Sequence, residues 1–428
     1  MNLPTLLAHP LARLAALGAC TSLFILPALA GDWPQWRGPQ RNGTTAETGL
    51  LATWPAGGPP LRWQRTDLGF GYGAPAVVGE RLYLLANADL DNESVLALAT
   101  ADGRTLWSTR LGRVGNPKQN PNFPAARSTP TVDGDRLFAL GSDGDLACLD
   151  AATGQVRWRK QLRTDFAGKP GEWAYAESPL VDGDTLVVTP GGAQATLVAL
   201  DKHTGDVRWR ATLPEADEAA YASAIVVEWG GVRQYVQLLQ KGLVGVDAKS
   251  GRLLWHYPKP VSRYKENIPT PLESGGLIYT AAAGTGGGTV RLRPAGEGVT
   301  FEELYFGAKL PTAIGGTVLV GPHLYGTTAQ ALLCVEFATG RIVWEERALG
   351  AASNCFADGR LYLHGENGEV ALVEPSPEGY RERGRFSPPG RPKRRSPMEK
   401  SWAHPVVAHG HLYLRDHGSL WCYDVRAR

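Results

Sequence analysis

The apolar positions of this chain fall in short runs separated by turn residues, not in the longer three-and-four spacing of an amphipathic helix. Residues 128–158 carry the pattern in full. Ser128-Thr129-Pro130-Thr131-Val132 opens a strand, and Asp133-Gly134 turns it. Arg136-Leu137-Phe138-Ala139-Leu140 follows, Asp143-Gly144 turns again, and Leu146-Ala147-Cys148-Leu149 makes a third run. Thr153-Gly154 then leads to a fourth strand that ends on Trp158. Asp-Gly between apolar runs is a strong short-range hairpin signal, because the tight turn needs left-handed backbone. The unit predicted is four antiparallel strands.

This unit repeats. Asp150-Ala151-Ala152-Thr153-Gly154 leading to Trp158 returns as Asp201-Lys202-His203-Thr204-Gly205 leading to Trp209, and as Asp247-Ala248-Lys249-Ser250-Gly251 leading to Trp255. Weaker copies end at Trp107 and Trp344, and copies near 303 and 383 have lost the tryptophan. A period of about 40–50 residues is that of propeller blades. The last unit stops after its third strand, Leu420-Trp421-Cys422-Tyr423, whereas Leu61-Arg62-Trp63-Gln64 is a fourth strand with no blade before it. Pairing the two removes exposed sheet edges and closes a ring. The expectation is an all-β, eight-bladed β-propeller over residues 60–428, its N-terminal strand completing the last blade. Each repeated indole is expected to dock between neighbouring sheets.

Residues 1–30 read as a leader instead of fold: His9 and Arg13, an apolar run from Leu14 to Leu26, then Pro27-Ala28-Leu29-Ala30. This is the pattern of a secretory signal cleaved after Ala30, which implies a periplasmic protein. The alternative is a lipoprotein anchored at Cys20, since Leu17-Gly18-Ala19-Cys20 resembles a lipobox. Residues 31–59 form an N-terminal extension. Of the other cysteines, Cys148, Cys334 and Cys422 hold equivalent strand positions and read as small buried thiols. The chain carries 44 basic and 42 acidic side chains. That balance gives no global field for nucleic acid.

Ala199-Leu200-Asp201 with Thr204-Gly205 and Trp209 resembles the PQQ-like repeat, the repeat of pyrroloquinoline-quinone propellers. Asp32-Trp33-Pro34-Gln35-Trp36-Arg37-Gly38-Pro39 with Arg41-Asn42-Gly43 is similar to an N-terminal segment of exported members. The resemblance implies one of two classes: quinoprotein dehydrogenases that use PQQ and Ca²⁺, or non-catalytic propellers such as the outer-membrane β-barrel assembly lipoprotein. The adjacent cysteine pair of the dehydrogenases is missing here, and where exported members often have Asn-His-His-Gly-Gly this chain has Pro311-Thr312-Ala313-Ile314-Gly315-Gly316.

Fold does not assign function, so the site must. Residues just before the innermost strands converge on the channel mouth, and Tyr72, Arg127, Glu177, Tyr221, Asn267, Asn354 and His404 are the candidates. Such a ring suits a polar, anionic or sugar-like ligand. No catalytic residue is expected, with Glu177 as base if the protein is a dehydrogenase acting on an alcohol or sugar. No cofactor is expected, with PQQ and Ca²⁺ as the alternative; a single Glu is a poor basis for a Ca²⁺ site. His404, His409, His411 and His417 cluster in sequence, but turns at opposite ends of one strand separate them, so no metal site is expected. Residues 381–400 break the repeat as a basic, Pro-rich inter-blade loop. Arg391, Lys393, Arg394 and Arg395 are the candidates for docking an anionic partner. The leading reading is a monomeric, exported, non-catalytic propeller that binds an envelope protein or small polar ligand, with a role in envelope assembly.

Overall fold

A computed structural model describes Met1 and residues 31–118, 124–213, 217–296, 298–394 and 396–427. The leader, Cys20 and the Ala30 cleavage point fall outside the described residues, as does Arg395. Among the described residues the strands form eight four-stranded sheets, and the helix is a single four-residue turn, Leu162–Asp165. Seven blades run in chain order, over residues 76–112, 131–161, 180–211, 225–257, 272–307, 317–346 and 352–386. The eighth combines Val406–Ala408, His411–Asp416 and Ser419–Asp424 with the N-terminal strand Leu61–Arg65. Trp63 lies opposite Cys422 and Leu61 opposite Tyr423. The ring is closed as expected.

Four of the blade junctions are riveted by the two repeated ends of the motif acting together. Trp158 of the second blade lies against Gly205, the turn glycine of the third, where an added Cβ would sit 3.0 Å from the indole. Its Nε1 donates to the Lys202 carbonyl at 3.1 Å. Trp63 on Gly103, Trp107 on Gly154 and Trp209 on Gly251 repeat the contact, each donating to a carbonyl of the next blade. The turn glycine is therefore required twice: its φ is near 75° (Gly154 74°, Gly205 77°, Gly251 75°), and a side chain there would displace the ring. Cys148, Cys334 and Cys422 are buried thiols opposite Trp158, Trp344 and Trp63.

The two copies without tryptophan are repaired differently. In blade five Tyr305 stands opposite Thr289 in the tryptophan position, packs on Gly340 and donates its hydroxyl to the Phe337 carbonyl at 2.8 Å. In blade seven the position is Gly384, opposite Leu372. Trp54 from the N-terminal extension fills the space, its Cβ 2.6 Å from where a Gly384 Cβ would be, with its ring against Tyr362 and Phe386. The turns also differ from expectation. In blades two and three the central pair is Gly134-Asp135 and Gly183-Asp184, since Asp133 and Asp182 still pair within the strand. Only the glycine is left-handed there (φ 59° and 57°). Asp358-Gly359 and His409-Gly410 have two positive φ values, as do the glycine pairs Gly230-Gly231 and Gly275-Gly276.

The N-terminal extension enters the ring and plugs it. Trp33 bridges Val77 of blade one, Val132 of blade two donates to the Pro34 carbonyl, and Gly43 and Thr45 exchange backbone hydrogen bonds with Phe356 of blade seven. Two arginines pin it across the channel. Arg41 donates to the Ser178 and Pro179 carbonyls of blade three at 2.8 and 3.0 Å, and Arg37 donates to the Gly315 and Thr317 carbonyls at blade six. Both are 3% exposed, and burial pulls their pKa values down to about 10 for Arg37 and about 9 for Arg41. Asp32 Oδ1 lies 2.8 Å from His409 Nε2, and Glu47 accepts the His409 and Gly410 N–H groups at the turn of blade eight.

Candidate functional site

Above the plug the channel opens into a cavity of about 790 Å³. Trp36 lines it from the plug side, donating Nε1 to Thr270 Oγ1 at 2.8 Å. Its walls come from one position per blade, four residues ahead of the inner strand: Tyr72, Arg127, Ala176, Tyr221, Ile268 and Trp402, with Ile314 beside them from blade six. In five of these copies a proline follows three residues later, Pro75, Pro130, Pro179, Pro271 and Pro405. Proline fixes φ and restrains the residue before it to extended backbone, which sets the orientation of the entry segment. The rim carries Arg263, Lys265 and Lys400 together with Glu172, Glu266 and Glu366.

Of the residues expected at the mouth, Tyr72, Arg127 and Tyr221 line the cavity. The Arg127 guanidinium stacks on the Tyr72 ring at 5.2 Å, and Tyr72 tilts against Trp402 with centroids 4.9 Å apart. The Tyr221 hydroxyl accepts the Trp173 N–H at 2.8 Å. The other four are turned elsewhere. Glu177 accepts the Thr189 N–H and the Gln237 side-chain amide. Asn267 accepts from Ser262 N at 2.8 Å and donates to the Leu239 carbonyl at 2.6 Å. Asn354 donates to the Gly316 carbonyl, and His404 packs on Trp36 with ring centroids 4.5 Å apart. For Glu177 and Asn267 the reason is register, since a shift of one position along an extended segment reverses the side chain's direction; Asn354 lies within the inner strand Ala352–Ala357 and not ahead of it. Ala176 and Ile268 line the cavity where Glu177 and Asn267 were expected. Trp402 lies two residues ahead of His404 in the same entry segment. The proline spacing is the signal that places five of the six wall positions, Tyr221 being the exception.

Two buried carboxyls, Glu177 and Glu93, hold their protons more tightly than a free carboxyl does. Burial raises Glu177 to about 7 against the opposing hydrogen bonds from Thr189. Burial raises Glu93 to about 7 in the same way, against hydrogen bonds from Ser142, whose Oγ lies 2.5 Å from Glu93 Oε2. Because these folded-state values exceed the unfolded 4.5, the folded chain binds more protons between about pH 4.5 and 7. The contribution is complete below 4.5 and is lost as pH rises through 7. Each carboxyl is expected to contribute up to ~3 kcal/mol of stability that disappears across this window. Urea midpoints measured from pH 4.5 to 8 should fall for the native chain, and Glu177→Gln should flatten the fall; an equally steep profile in the variant would show that Glu177 ionises freely.

The basic loop is not a free surface. Arg394 makes a bidentate pair with Asp416, both contacts at 2.8 Å, and donates to Ser401 Oγ at 2.7 Å. Arg391 donates to the Asn367 carbonyl and lies 3.7 Å from Asp416. Asp416 is 2% exposed; burial pushes its carboxyl up, but Arg394 overcomes this and holds it below the usual range. A buried carboxylate needs a paired cation, which draws these arginines inward. Among the described members of the loop set, Lys393 stays exposed. Upstream, Arg381–Phe386 is a strand of blade seven, with Arg381 and Arg383 on Glu374 and Arg385 on Glu382. His417 is packed between Tyr72 and Glu399, and His409 is taken by Asp32, so the histidines do not meet.

The residues present do not fit a Ca²⁺ centre of the quinoprotein type. Among the described residues no three His, Cys, Asp or Glu side chains converge as a metal site. Ca²⁺ takes six to eight oxygens, several from carboxylates, while Glu177 lies off the cavity and accepts hydrogen bonds from protein groups. No helix among the described residues is long and apolar enough to cross a membrane.

Residues 91–346 match the family model described as outer membrane protein assembly factor BamB. The BamB of Burkholderia pseudomallei is 23% identical over 63% of this chain and 65% of its own length. Methanol dehydrogenase subunit 1 of Paracoccus denitrificans is 26% identical over 34% of this chain, but only 24% of its own. The chain thus spans just under two thirds of the first relative and about a quarter of the second. Among solved structures, BamB from Moraxella catarrhalis aligns over 80% of this chain and 96% of its own, with a TM-score of 0.55 and 14% identity. The quinohemoprotein alcohol dehydrogenase of Comamonas testosteroni aligns over 94% and 82%, with a TM-score of 0.51 and 12% identity. These two likenesses speak to the fold, and with the family match and the eight blades they make the chain a member of the BamB family of PQQ-like-repeat propellers.

Proposed function

We propose that this protein is an exported binding propeller of the cell envelope that holds a polar ligand, free or carried by a partner, in the blind cavity on its channel face. The observation that carries the reading is the cavity itself. It is walled by Trp36, Tyr72, Tyr221 and Trp402 with Arg127 among them, a pattern of apolar walls with a few convergent polar groups that suits ligand capture. The apolar run ahead of Gly31 and the relatives' description as outer membrane assembly factors support placement in the envelope.

The dehydrogenase reading is favoured by the methanol dehydrogenase similarity and opposed by the donor set. One experiment separates them: incubate the purified full chain with PQQ and Ca²⁺, then measure dye-linked alcohol oxidation and calorimetric binding of PQQ. The expected result is no turnover above buffer, with Glu177→Gln indistinguishable from the native chain. Turnover that is lost in Glu177→Gln would overturn the binding reading.

A further inference from the structure

The cavity is one end of a longer trough. A hollow of about 390 Å³ lies beside it and shares Glu172 and Lys265 as lining, and both of these side chains are exposed. A further hollow of about 450 Å³ shares Asn116 and Arg163 with the second. The three run in series from the loops of blades two and three to the central cavity. A single small molecule fills only the innermost of them, so the geometry points to an extended ligand with one end seated in the cavity.

Its chemistry follows from the lining. Eight basic side chains face five acidic ones over the three hollows, an excess larger than the +2 of the whole chain. Asp143 accepts from Arg113 at 2.7 Å and lies 2.9 Å from Arg163 Nε, a pairing that leaves the excess unchanged. Hydroxyl groups both donate and accept hydrogen bonds, so a polyhydroxyl chain satisfies the mixed lysine and glutamate rim where an apolar peptide side chain would not. At the inner end Trp36, Trp173 and Trp402 are half-buried indoles in the cavity lining, aromatic surface that suits the C–H faces of a sugar ring, and Arg127 among them suits a carboxylate. We infer that the trough binds an oligosaccharide bearing carboxylates, its terminal sugar in the channel cavity and its following sugars along the loops of blades two and three. This rests on the binding reading above and adds to it the class and length of ligand.

The test is calorimetry on the full chain with oligogalacturonates of one to six residues, neutral cello-oligosaccharides of the same lengths, and polyglutamate. Affinity for the acidic series is expected to rise with length by at least ~10-fold and to weaken with salt. Lys118→Ser with Lys169→Ser, both exposed in the outer hollows, should remove most of that gain and leave the monosaccharide within about two-fold. Trp402→Ala should weaken every length. Affinity independent of length, equal affinity for the neutral series, tighter binding of polyglutamate, or no binding of any oligosaccharide would each overturn the inference. The binding reading itself fails on a separate result, the dye-linked oxidation described above.

Discussion

Trp158→Ala is expected to lower the unfolding free energy by roughly 3–5 kcal/mol, the cost typical of deleting a packed indole. The variant loses the ring face over Gly205, the tilted contact with Phe138 at 6.1 Å and the hydrogen bond to the Lys202 carbonyl, so the junction between blades two and three opens on both sides. Urea denaturation followed by tryptophan fluorescence and by far-UV dichroism measures it. The same free energy in native and variant would mean that the indole is an ornament of the outer strand and not a rivet. Because blades contact mainly their neighbours, the loss should concentrate at this junction, where proteolysis of the 202–206 turn should accelerate.

Arg41→Ala is the second large effect, expected at about 2–4 kcal/mol. Its guanidinium meets Gln35 Oε1 and the Ser178 and Pro179 carbonyls inside the channel, and alanine leaves acceptors without their donor in a space that water must enter. Part of that cost is offset, because the native side chain carries a charge into a site where burial already lowers its pKa to about 9. Arg41→Met separates the contributions: it keeps the volume, relieves the charge and still loses the hydrogen bonds. If the bonds dominate, both variants are destabilised and the 31–52 segment becomes the first site of proteolysis. If Arg41→Met is as stable as the native chain, charge burial cancels the bonds and the plug is held by its other contacts, Trp33, Arg37, Asp32, Glu47 and the backbone bridges among them.

Sequence reasoning reached the architecture through the repeat because the motif couples two distant jobs: Thr-Gly shapes the turn of one blade and also accepts the tryptophan of the blade before. Ring closure was equally legible, since an unmatched third strand and an unmatched fourth strand have one efficient solution. The candidate site was harder. Tyr72, Arg127 and Tyr221 were found by counting back from the inner strands, but the same counting landed on Glu177 and Asn267 instead of Ala176 and Ile268, because polar residues were sought where extended backbone directs the neighbour inward. The plug was not legible, since nothing in Trp33 to Asn42 states that two arginines will be buried against carbonyls of opposite blades. Nor was the fate of the basic loop: the partner that draws Arg394 inward is Asp416, twenty-two residues later and in another strand.

The closure of the eighth blade also sets an order of assembly. Leu61 cannot pair until Tyr423 has been made, and Leu51 N–H waits for the Val425 carbonyl, so the segment that emerges early is among the last to find its partners. Contacts this remote in sequence slow folding, because the loop must be closed before they are rewarded. Until then the chain presents an unpaired strand at each end of a nearly complete disc, and those two edges are complementary to each other in every copy. Head-to-tail pairing between molecules therefore competes with closure within one. Refolding yield should accordingly fall with rising protein concentration while the folded rings stay stable.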